Sequence, residues 1–140
     1  MDSPAALLSS GSFYEIVDEH GIARCVVTVP PELTPAEGAQ AAEEMSRYIE
    51  AHILVKGSAF AGLILDVRKG PRVFGPHTRA ALERLFQKAE ANLVPLVALV
   101  RDNPLQRMQF GNLSRQYAVH ISRVVDDEDQ ARRCIHSLTT

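Results

Sequence analysis

The apolar run FAGLIL at residues 60–65, closed by Asp66 and followed by the loop VRKGPRVFG, constrains this chain more than any other stretch. The run is too short to span a membrane and has no polar alternation, so it predicts a strand covered on both faces. Residues 76–91 then carry Ala81, Leu82, Leu85, Phe86 and Ala89 at helical spacing, which predicts an amphipathic helix directly after the loop. Strand, loop and helix in that order form a unit of an α/β sheet, and open α/β sheets present their sites at the carboxyl ends of strands.

The flanking sequence extends this unit. Residues 1–12 are mostly small and polar and are expected to form a flexible tail, leaving one α/β domain over residues 13–140. Residues 13–18 and 22–29 are β-rich runs separated by Glu19, His20 and Gly21, which predicts an antiparallel hairpin with Gly21 at positive φ. Pro30 and Pro31 stop the second strand. Thr34, Pro35 and Glu37 form a capping box for a helix with Ala41, Met45, Tyr48, Ile49 and His52 on its apolar stripe, closing at Gly57 and Ser58. His52 reads as a boundary histidine. Asn92 is expected to end the next helix, and residues 94–100 form another buried strand. Arg101, Asp102, Asn103 and Pro104 then start a third helix with Leu105, Met108, Leu113 and Tyr117 inward. Residues 120–125 give a last strand, and the acidic residues 126–129 precede a final helix carrying Ala131, Cys134, Ile135 and Leu138. The expected fold is a single-domain mixed sheet with an N-terminal antiparallel hairpin, parallel central strands and about four helices, on both faces or predominantly one.

A formal net charge of −2 over 140 residues gives no electrostatic reason to expect nucleic acid or an anionic membrane as partner. Cys25 and Cys134 lack metal-ligand spacing and read as buried free thiols of a reducing cytosol, so a cytoplasmic protein with no signal peptide or membrane span is expected. No catalytic-serine, P-loop, dinucleotide, Cys/His or zinc pattern occurs, and the chain is expected to be no enzyme and to use no cofactor or metal. The chemistry that does stand out is anion recognition. Pro76 preorganises a helix start whose free N–H groups can take an anion, and Arg72 and Arg79 flank it. Asp66 and His77 are an acid/base pair only if the fold brings them together. The candidate partner- or anion-binding loops thus comprise Asp66, Arg68, Arg72, Phe74, His77, Arg79, Arg101 and Asn103.

Residues 63–66, residues 74–82 and the closing DDEDQARRCIHSL, set in this order of elements, resemble a STAS domain, the fold of bacterial anti-sigma-factor antagonists. In the phosphorylatable members of that family a Phe-x-Asp-Ser-Ser-Gly segment opens the helix after the central strand, and its second serine is the switch. Aligned on Phe74, this chain reads Phe-Gly-Pro-His-Thr-Arg, which puts Thr78 at the phosphoacceptor position, Pro76 at the aspartate and Arg79 at the glycine. The resemblance implies a non-catalytic regulatory or protein-interaction module, with a regulatory kinase or an anti-sigma-like protein as partner. The alternative it implies is a small-molecule or lipid binder using the loops around Phe74 and Asn103. A homodimer is expected because the hairpin leaves a sheet edge to be covered.

Overall fold

The computed structural model describes residues 6–29, 33–71 and 74–138. Its first turn sets the hairpin: His20 at φ 55° and Gly21 at φ 87° supply the two positive-φ central residues that a type I′ turn requires. The turn joins β2 (Tyr14–Glu19) to β3 (Ile22–Thr28), antiparallel, with Glu19 opposite Ile22. Outside β2 lies β1 (Ala6–Ser10), also antiparallel and bulged between Leu7 and Ser9. The expected tail is thereby corrected over its described part, where residues 6–10 form a strand. Leu8 packs on the main core, and β1 satisfies backbone groups that β2 would otherwise leave unpaired. Residues 1–5, and the strand stops Pro30 and Pro31, lie outside the described residues.

Four helices and three strands follow: α1 (Pro35–His52), β4 (Gly62–Lys69), α2 (Pro76–Asn92), β5 (Leu96–Leu99), α3 (Pro104–Tyr117), β6 (Ser122–Val125) and α4 (Glu128–Leu138). The strands lie in the order β1-β2-β3-β4-β5-β6, with β3 to β6 mutually parallel. Each parallel crossover therefore steps the same way along the sheet. Right-handed crossovers that never reverse put their helices on one face, which is where α1, α2 and α3 pack. Helix α4, which follows the last strand, is free to cross over, and its Ala131 and Ile135 cover Ile64, Val97 and Leu99 on the opposite face.

Strand alternation divides the two layers. Leu63, Leu65 and Val67 of β4 face α1 to α3, whereas Ile64 and Asp66 face the other way. Leu63 and Leu65 are fully buried, as expected of the central strand. That strand, however, runs from Gly62 through Lys69, so Asp66 lies inside it and not at its end. Helix α1 ends at His52, capped by Ile53, because Ile53 and Leu54 turn into the core before Gly57 is reached. Its buried face is Ala42, Met45, Ser46 and Ile49, while His52 is exposed and stacks on Tyr48 with ring centroids 4.5 Å apart.

Helix α2 buries the five residues expected, but its C-cap is Leu93 at φ 55°, and the Asn92 side chain instead donates to the Leu54 carbonyl. In α3 the expected stripe is half right: Leu113 is buried and Tyr117 packs on the core, but the first two positions differ. Leu105 and Met108 are exposed, and Gln106, Phe110 and Leu113 are buried. Gln106 can be buried because its amide bridges β4 and the loop after β5, donating to the Val67 carbonyl and accepting from the Arg101 N–H. Cys25 is buried and Cys134 half-buried, and both thiols are free. Among the described residues no helix is long and apolar enough to cross a membrane, and no cluster of His, Cys, Asp or Glu is placed to hold a metal ion.

Candidate functional site

A sheet whose strand order never reverses has no switch-point crevice, so an opening at its carboxyl edge needs another origin. Here it comes from small residues. The first turns of α1 carry Gly38, Ala39, Ala41 and Ala42, and α2 begins at a glycine N-cap, Gly75. Between these helix starts and the ends of β3 and β4 lies a cleft of about 730 Å³, with Thr34, Gly70, Phe74, His77, Thr78 and Arg101 on its walls. Beneath it an apolar cavity of about 80 Å³ reaches toward the core between Met45, Leu65, Val67, Leu82 and Phe110. The two are adjacent, sharing Val29, Leu33, Gly38, Pro71, Phe74 and Thr78 as walls.

Phe74 forms the hinge between the two spaces. Its ring is nearly buried and meets Phe110 edge-on, with centroids 5.4 Å apart. Thr78 is half-buried one turn before Leu82, on the side of α2 that turns to the cavity, while His77 is exposed at the mouth. The N-cap of α2 has no side chain with which to accept from the helix's first N–H groups. Arg101 lines the cleft: one Nη donates to the Gly70 carbonyl at 2.7 Å, and its Nε is buried without a hydrogen-bond partner among the described residues.

Of the candidate residues, then, the fold brings together Phe74, His77, Thr78 and Arg101. The others go elsewhere. Asp66 and Arg68 point to the α4 side of the sheet, where Arg68 grips Asp66 through Nε at 3.0 Å and Nη2 at 2.8 Å, and Arg24 donates to Asp66 at 2.7 Å. Glu128, in the first turn of α4, accepts from both arginines. Asp66 and His77 therefore lie on opposite sides of the sheet, and the acid/base pair does not form. Burial alone would raise the Asp66 carboxyl, but the hydrogen bonds from Arg68 and Arg24 outweigh it and hold the group below the usual carboxylate range. The hydrogen bond to Arg24 likewise lowers Glu128 against the effect of its burial. Arg79 pairs with Glu83 one turn along α2, at 3.0 Å. Asn103 is the N-cap of α3, accepting from the N–H groups of Leu105 and Gln106, and Arg72 lies outside the described residues.

Sequence reasoning missed the α1 wall. The signal was the small-residue run GAQAA directly after the capping box, which a helix presents as a shallow surface where a larger residue would fill the space. It also missed Gln106, whose polarity hides a buried position.

No family model and no curated protein matches the chain. Among solved structures it is similar to the NMR structure of the protein TM1081, with a TM-score of 0.62 over 97% of this chain and 98% of that one. At 10% identity the likeness is one of fold.

Proposed function

We propose that this chain is a non-catalytic regulatory module that works in the cytoplasm and engages a protein partner over the carboxyl edge of its sheet, as the STAS resemblance implies. The observation that carries the reading is the place of Thr78. It lies in the first turn of α2, on the rim shared by cavity and cleft, beside a helix start with no side-chain cap. A phosphate there would sit at the positive end of the helix dipole and add roughly two negative charges to the mouth of the cleft, enough to change which partner that face accepts. The commitment of Asp66 to Arg24 and Arg68 further supports a binding role over an acid/base one. The partners that fit are a regulatory kinase or an anti-sigma-like protein, with a second copy of the chain covering a sheet edge. Quantitative affinity capture from the source cell tests this. Thr78→Glu should lose or exchange the captured partner, while Arg132→Ala on the α4 face should retain it. A bait that enriches nothing over a control, or two variants with unchanged captures, would overturn the reading.

A second reading, a small-molecule binder, is favoured by the cavity. An apolar recess under a polar mouth is how ligand pockets are commonly built.

A further inference from the structure

We infer that cavity and cleft together bind a small amphipathic monoanion, its apolar end in the cavity and its head beside Arg101 and the first turn of α2. The inference rests on the small-molecule reading of the site and not on the partner reading.

Size and chemistry of the recess set the tail. Its inner walls are Met45, Leu65, Val67, Leu82 and Phe110, side chains that offer a water molecule no hydrogen bond. An apolar cavity of that kind stays dry and accepts apolar guests. At about 80 Å³ it is roughly half the size of a cavity that takes benzene, so it holds on the order of three carbon atoms. The rest of a guest must lie in the cleft above, and the wall that cavity and cleft share at Phe74 and Thr78 lets one molecule occupy both.

Charge sets the head. The described residues lining the cleft include Arg101 and no Asp or Glu. No described carboxylate pairs with Arg101, whose guanidinium is steadied by the Gly70 carbonyl and has a buried Nε unpartnered. The N-terminal end of α2 faces the same space and adds partial positive charge with no side-chain oxygen to occupy it. A cation, a neutral sugar or a dianion with no apolar part would leave either the recess or the guanidinium unused. A short acyl carboxylate uses both.

The test is titration of the whole chain, followed by backbone-amide and methyl NMR, with hexanoate, 1-hexanol and acetate. Hexanoate should saturably shift the amides of Phe74, His77 and Thr78 and the methyls of Met45, Leu65 and Leu82, with a Kd about tenfold below those of hexanol and acetate. Arg101→Met should raise the hexanoate Kd about tenfold and leave hexanol unchanged. Ala42→Leu, which fills the recess, should weaken both hexanoate and hexanol, and Ala41→Leu serves the same purpose if the first variant does not fold. Hexanol and hexanoate binding equally at the cavity would overturn the anion assignment and leave the small-molecule reading standing. No saturable shift at the cavity with either compound would overturn both.

Discussion

The strongest electrostatic feature of the molecule is not at its cleft. Asp66, only 5% exposed, is held by Arg24 and Arg68, and Glu128 bridges the same two guanidiniums, so α4 is tied to β3 and β4 by charge as well as by apolar contact. Removing one member leaves buried charge uncompensated, and Asp66→Asn should cost about 3 kcal/mol at neutral pH. Acid should do the same to the unmodified protein. Both carboxyls are held below their ordinary values, so they contribute stability above those values that disappears as pH falls through the depressed ones. The melting temperature should be nearly flat from about pH 7 to 5 and fall progressively below about pH 4. Asp66→Asn should be less stable at neutral pH and show a shallower acid decline. Parallel acid declines for the two proteins, followed by circular dichroism, would show that this network does not govern acid stability.

At the scale of elements, a buried glycine and a half-exposed one should respond to substitution in opposite directions. Gly62 opens β4 where α4 crosses it. A β-carbon there would come within 2.8 Å of the Pro95 carbonyl oxygen, which accepts from the Leu63 N–H, and 2.7 Å of Ile135 Cδ1, so the tight packing at the start of β4, between α4 and the backbone entering β5, depends on its absence. Gly62→Ala should displace that backbone and cost about 2 kcal/mol. Gly38 is in the first turns of α1, where a β-carbon meets only Leu33 Cδ2, at an ordinary 3.5 Å. Gly38→Ala should therefore stabilise by up to about 1 kcal/mol through helix propensity. Chemical denaturation of both variants checks the pair, and a shift of the same sign in each would contradict the packing described for the start of β4.

At the scale of the whole molecule, association depends on the sheet's two edges. The strands run in sequence order from β1 to β6 without closing, so among the described residues each of these two short strands has one side without a neighbouring strand. The bulge in β1 blunts one edge, as natural sheets do to resist uncontrolled pairing. Leu7 in that strand is nevertheless 60% exposed. If a second copy covers this edge, sedimentation velocity should show a dimer at micromolar concentration, and Leu7→Lys should return it to monomer without lowering the melting temperature. A monomer at all accessible concentrations would remove the homodimer from the proposed function.

What the sequence determined by itself was whatever is set locally. The positive φ of Gly21, the capping box at Thr34 and Glu37, the burial of Leu63 and Leu65 and the stripe of α2 are each specified within a few residues, and each stands where the sequence placed it. The direction of the parallel strands followed too, because alternating helix and strand leave few topologies open. Tertiary structure decided what depends on partners distant in the chain. Residues 6–10 are a strand because β2 needs a neighbour, Gln106 is inside because Val67 and Arg101 satisfy it, and Asp66 turned from a site residue into a structural one because Arg24 and Arg68 hold it, with Glu128 accepting from the same two arginines. The site divided in the same way. Phe74 and Arg101 were visible as loop residues and His77 and Thr78 as the start of a helix, but the space between them is made by small residues on α1, and empty volume arises only when separate elements pack.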